Sequence, residues 1–161
     1  LMKNGADKVV INTEAFEHPE FISESARVFG SQCIVVSIDV KQNSPGEYEV
    51  ITHAGKHPSG IDPVSWAQRA ESLGAGEILL TSMDRDGMMQ GYDLDLVCAV
   101  SDAVPLPVIA SGGAGQLSDF ADVILKGQAS AVAAASIFQF TEITPRNAKE
   151  HMRDAGIDVR L

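Results

Sequence analysis

Short apolar runs alternate along this chain with longer stretches in which apolar residues return every three or four positions. The runs are Val9 to Ile11, Cys33 to Ile38, Glu77 to Leu80, Pro107 to Ala110 and, more loosely, Ala129 to Val132. Three of them follow one phrase: a glycine able to end a helix, a small turn, then a strand, as in Gly5-Ala6-Asp7, Gly74-Ala75-Gly76 and Gly127-Gln128-Ala129. Their starts lie roughly 25 to 45 residues apart, the length of a βα unit, which predicts a parallel sheet. Between them, Ile22, Ala26 and Phe29 share one helical face, as do Trp66, Ala67, Ala70 and Leu73. Leu96, Ala99, Val100 and Ala103 make a third stripe, and Phe120, Val123 and Ile124 a fourth. Asp62-Pro63 offers an N-cap and a first-turn proline, and a last helix is expected from about Pro145 to Ala155, stopped by Gly156. Leu1 to Gly5 reads like the end of a helix already under way.

Lys41 to Gly46 is turn-rich and Tyr48 to Thr52 alternates, which predicts a hairpin extending one βα loop. Strands that are apolar throughout call for cover on both faces. That leaves a doubly wound open sheet or part of a closed (β/α)8 barrel. A complete barrel takes about 250 residues, so 161 residues would hold only about five of its units. No linker divides the chain, so residues 1-161 are expected to form a single α/β domain.

Composition narrows the function classes. With 45% hydrophobic and 21% charged residues the chain is of ordinary globular type, and its net charge of -10, without a basic patch, argues against nucleic acid as a partner. No apolar run approaches the roughly 20 residues of a membrane span. Cys33 and Cys98 lack a C-x-x-C partner, which suits a reducing cytoplasm. His18, His53, His57 and His151 show no ligand spacing and read as solvated, so no metal or other cofactor is implied.

In a parallel α/β fold, chemistry gathers where strands end. Those positions are polar throughout: Asn12-Thr13, Ser37 and Asp39, Thr81-Ser82 with Asp84 and Asp86, Ser111-Gly112-Gly113, and Ala135-Ser136. The plain alternative is that loops are polar wherever they occur. Ser111-Gly112-Gly113-Ala114-Gly115 can bring backbone N–H groups against a phosphate, with Ser136-Ile137-Phe138 opening a short helix toward the same anion; tight packing would equally account for the glycines. Asp39 closes an otherwise apolar run, where partial desolvation favours proton transfer, though a loop cap is the alternative. Asp84-Arg85-Asp86-Gly87 is either a second acidic cluster or a turn in which Arg85 neutralises its neighbours. Met88, Met89 and Cys33 read as packing residues.

Taken together, Gly5 to Thr13, Phe29-Gly30-Ser31-Gln32, Ser37-Ile38-Asp39, Gly74 to Gly87 and Ser111 to Gly115 resemble the cyclase subunit of imidazole glycerol phosphate synthase. The resemblance implies a (β/α)8 barrel entered just before its fourth strand and followed to its eighth helix, strands one to three being absent. It implies an ammonia-dependent cyclisation in histidine biosynthesis, converting a ribulosyl-formimino-carboxamide nucleotide to imidazole glycerol phosphate and an aminoimidazole carboxamide ribonucleotide. A glutaminase partner supplies the ammonia. Asp39 matches one of the family's two acid/base carboxylates, and the other belongs to the first strand, so the 161 residues alone are expected to be inactive. Ser111, Gly112, Gly113, Ala135 and Ser136 match one phosphate grip of the bisphosphorylated substrate. Asn12 and Thr13 match half of the second, and Thr81, Ser82 and Asp86 match positions near the reacting centre. Lys8 and Glu77 match two members of a charged ammonia gate, with Asp7 toward the glutaminase. Gln139 and Met88 depart from the family pattern, leaving open a paralogue that delivers ammonia to a nucleotide sugar for surface polysaccharide. The sister phosphoribosyl isomerase of the same pathway is the other alternative.

Overall fold

The first two apolar runs form β1 (Val9–Ile11) and β2 (Ile34–Ser44) in the computed structural model, which describes residues 1–161. The hairpin supplies β3 (Glu47–Thr52) and β4 (His57–Pro58), and the remaining runs form β5 (Glu77–Ser82), β6 (Val108–Ser111) and β7 (Ala131–Ala133). β1, β2, β5, β6 and β7 pair in parallel, each with the next of that series. Such an order never reverses, so the sheet has no switch point, and the doubly wound alternative is excluded.

The hairpin expected after the second run makes the sheet mixed. β2 runs five residues beyond Asp39, whereas β1 pairs only with Ile34 to Val36. The upper edge of β2 is thus left free, and β3 takes it in antiparallel register, with Asp39 opposite Ile51 and β4 beyond.

Helices fill the connections: α1 (Thr13–Glu17), α2 (Glu20–Phe29), α3 (Pro63–Ser72), α4 (Leu94–Ala103), α5 (Leu117–Leu125), α6 (Ser136–Phe140) and α7 (Pro145–Asp154). α3 begins as its sequence dictates, with the Asp62 carboxylate accepting from Ser65 N at 2.8 Å, a cap worth about 1 kcal/mol. Trp66, Ala67 and Ala70 are buried, and Leu73 is half-buried just past the helix end. In α4 the buried face carries Leu96, Val97 and Val100, while Ala99 is exposed. Valine removes more apolar area from water than alanine, so the stripe turns toward Val97. In α2 only Ile22 is fully buried, and Phe29 is left 37% exposed. The opening residues make a single 3-10 turn, Met2–Asn4, ended by Gly5 in the left-handed region at φ 92°.

Ile34, Val36, Ile38 and Val40 of β2, Ile78 and Leu80 of β5, and Val108 and Ala110 of β6 are all buried in the core shared with the helices. Each fully buried aliphatic side chain contributes about 1.5–3 kcal/mol. Between them, Glu77, Leu79, Thr81, Ile109 and Ser111 are only half-buried. In β5 and β6 one face is therefore covered and the other only partly, whereas β2 is buried on both faces up to Ile38, with Val35 and Ser37 also enclosed. β1 and β7 each pair along one side, and beside β1 an apolar cavity of about 510 Å³ is lined by Val9, Val10, Phe21 and Phe29. No helix is long and apolar enough to cross a membrane.

Candidate functional site

The register places Asp39 beside Thr81, Thr81 beside Ser111, and Ser111 beside Ala133. These four residues form one row across the sheet. All are half-buried, and alternation along the strands sets Thr81 and Ser111 on the less covered face. With neighbouring strands about 4.8 Å apart, Asp39 lies roughly 10 Å from Ser111. Ser82 does not join the row. Its side chain is buried at 5% exposure on the opposite face, and its carbonyl accepts from Arg85 N and Asp86 N to shape the following turn.

Beyond Ser111 lies a hollow of about 150 Å³, walled by Ser111, Gly112, Gly113 and Ala114 on one side and Ala133 to Ser136 on another, with Asp86 and Gly87 closing it. Gly112 and Gly113 have φ of 87° and 120°, where a side chain is strained. A Cβ at Gly112 would stand 2.6 Å from the Ser82 carbonyl oxygen, and one at Gly113 would stand 2.2 Å from that of Gly91. Packing therefore demands both glycines, and the same packing draws the β5–α4 loop in as a wall of the hollow. Neither Gly112 nor Gly113 donates its N–H to a protein acceptor. The Asp119 carboxylate instead accepts from Gly115 N at 2.8 Å and Gln116 N at 3.0 Å, fixing the far end of the loop. Ala135 precedes α6, and Ser136 opens it as the sequence predicts. Tyr92 braces the strand next to the hollow, its hydroxyl donating to Ala133 O at 3.0 Å. Burial first, and the Asp119 charge second, push this phenol above its ordinary range and keep it a neutral donor. The sequence motifs include Gly87 and Ala114 but not Ala133 or Tyr92, because an alanine inside a strand and a tyrosine in a loop carry no chemical signature of their own.

The other shoulder of the row is built from side chains. Asn12 Nδ2 donates to Asp39 Oδ2 at 2.9 Å. Thr13 Oγ1 accepts from His53 N at 3.1 Å, bringing the hairpin tip down onto the start of α1. His53 Nε2 also lies 3.4 Å from Glu17, and its ring packs at a tilt of 30° against His57 with centroids 4.3 Å apart. The tip turns through left-handed His53, Ala54 and Gly55, where a Cβ at Gly55 would meet Met83 Cε at 2.5 Å. Tyr48 ties the hairpin to α4 by donating to Asp93 Oδ1 at 3.0 Å, and the same carboxylate caps α4 through Leu96 N. Burial and then Asp93 push the Tyr48 phenol up to about 12. An aspartate three residues before the Leu96 stripe was the available signal for that cap.

The Asp84 cluster resolves into a hairpin support. Asp84 accepts from Gln42 N at 2.7 Å, whereas Arg85 donates to Gln90 O rather than neutralising its neighbours. Met88 is 55% exposed, against the packing role expected of it, because the turn carries it outward beyond the core. At the amino ends of the strands, Lys8 and Glu77 form an ion pair. Glu77 precedes Thr81 by four steps along β5, about 13 Å below the row. Glu14, Glu17 and His18 bring metal-type ligand atoms near one another on the exposed side of α1, a grouping that histidine spacing alone does not reveal.

In a comparison with known families, residues 1–144 match the model described as "Histidine biosynthesis protein".

Proposed function

Because the chain belongs to the histidine biosynthesis protein family, we propose that it carries the ammonia-dependent cyclisation that forms imidazole glycerol phosphate, acting on a bisphosphorylated ribulosyl-formimino-carboxamide nucleotide. The sheet is then the stretch of a (β/α)8 barrel from the fourth strand to the eighth helix, a reading supported by five parallel strands in unbroken order with an unpaired edge at each end. The observation that carries the function is the row Asp39–Thr81–Ser111 running into the glycine hollow. A proton-transfer group thereby stands roughly two strand spacings from a phosphate-sized recess with free backbone donors. At about 150 Å³ the hollow is well below the ~300 Å³ of a small-molecule pocket, so it would take one terminal phosphate and leave the reacting centre over Thr81 and Asp39.

Asp39 acts as general acid/base in this reading, with the second carboxylate supplied by the barrel's first strand. Asp86 faces the recess with like charge, so the phosphate sits on the side of Gly112, Gly113, Ala135 and Ser136. The Lys8–Glu77 pair favours the cyclase over the sister isomerase, since an isomerisation without ammonia has no use for a charged gate at the amino ends of the strands. A glutaminase would dock there, near Asp7.

The test is Asp39→Asn in the full-length protein, assayed with ammonium salt. Cyclisation should fall by about 10³-fold, within the usual range for a general acid/base, with an unchanged circular dichroism spectrum. A fully active variant would remove the role. Turnover of the isomerase substrate without ammonia would decide for the sister enzyme.

A further inference from the structure

An asparagine where a strand passes into a helix ordinarily turns its side chain back to cap the first helical N–H groups. Asn12 occupies that position before α1, and its carbonyl accepts from Phe16 N at 3.2 Å, but its side chain makes no cap bond. The amide instead reaches across to β2 and donates to Asp39 Oδ2. We propose that Asn12 is the positioning residue for the Asp39 carboxylate, an inference that rests on the acid/base reading of Asp39 above.

The physical case is one of orientation. Ladder neighbours on both sides, Ile51 and Thr81, fix the Asp39 backbone, but a backbone ladder does not choose the rotamer of the carboxylate. One directional bond to Oδ2 does choose it, and leaves Oδ1 free to exchange a proton with substrate. A neutral amide suits this task better than Lys or Arg, because a cation would bind the charged form strongly enough to make it a poor base. The resemblance put Asn12 with a phosphate grip, and the two roles separate cleanly in kinetics. A phosphate ligand acts on substrate binding, whereas a residue that aims the acid/base acts on turnover, since misplacement by about 1 Å costs on the order of 10²-fold.

The experiment compares Asn12→Ala, Asn12→Asp and Asp39→Asn in the full-length enzyme with ammonium salt, together with inorganic phosphate binding followed by NMR. Asn12→Ala takes away no helix cap, and Asn12→Asp keeps the side-chain shape while removing the donor, so folding is preserved in at least one of them. Positioning predicts that Asn12→Ala lowers kcat about 10- to 100-fold while KM stays within about 3-fold and phosphate affinity is unchanged. Asn12→Asp should lose kcat at least as far. Wild-type kcat in Asn12→Ala, or an approximately tenfold rise in KM with kcat intact, overturns the positioning role while an inactive Asp39→Asn leaves the acid/base reading standing. An active Asp39→Asn overturns both.

Discussion

The two shoulders of the Asp39–Ser111 row are made differently. On the side of β6 and β7 the wall is backbone, glycine, alanine and serine, with N–H groups at Gly112 and Gly113 that no protein atom accepts. On the side of β1 the polar side chains already have partners, Asn12 on Asp39 and Thr13 on His53 N, and a hairpin is latched above them. A surface prepared for a ligand keeps donors unpaired and excludes side chains from the space. A surface prepared for chemistry uses its polar groups to hold one another in place. The first shoulder fits the former description and the second the latter.

The sharpest way to break this contrast is to put a side chain where the backbone approaches most closely. Gly113→Ala sets a Cβ against the Gly91 carbonyl oxygen at 2.2 Å and in a left-handed conformation. It should lower the melting temperature by several degrees, from strain of about 1–3 kcal/mol, and weaken inorganic phosphate binding at least tenfold. Calorimetry and NMR titration read the two effects. Phosphate binding that survives unchanged would mean that the hollow is packing alone.

The large features of this arrangement were legible in the sequence because they rest on short-range rules. Glycine before an apolar run gave β1 and β5, and Asp62-Pro63 gave the start of α3. The serines and glycines that line the hollow stand out by residue type at the strand ends. What stayed hidden depends on long-range register. Nothing local to Asn12 reveals a bond to a residue 27 positions later, nor does Thr81-Ser82 reveal which of the two faces the row. The extent of β2 beyond Asp39 was equally hidden, because Lys41 to Ser44 are polar and are held as a strand only by pairing with β3.

A milder change leaves the backbone untouched. Ser136→Ala removes one hydroxyl from the hollow and no packing contact of comparable size. Phosphate binding should weaken about 5- to 10-fold, the equivalent of one hydrogen bond of about 1–1.5 kcal/mol, while the melting temperature moves by less than about 2 °C. The same titration on Thr13→Ala should show no loss at the hollow, since Thr13 does not line it and its oxygen accepts from His53 N on the other shoulder. Equal losses in the two variants would erase the distinction between the shoulders.

The smallest effect concerns the hairpin that roofs the Asp39 side. Tyr48 donates to Asp93, and its phenol is pushed up to about 12 in the folded protein from an ordinary value of 10. The folded state therefore holds this proton in a range where the unfolded chain has released it. For a group raised in this way the stabilisation is fully present below pH 10 and is lost as pH climbs toward about 12. Tyr48→Phe removes both the bond and its titration. Thermal unfolding at pH 8 should show the variant lower by a few degrees, consistent with a hydrogen bond of about 0.5–1.5 kcal/mol. Between pH 10 and 11.5 the wild type should lose that lead, so that the two melting curves converge. A gap that stays constant through this range would mean that Tyr48 holds the hairpin by ring packing, and that the latch over Asp39 does not depend on Asp93.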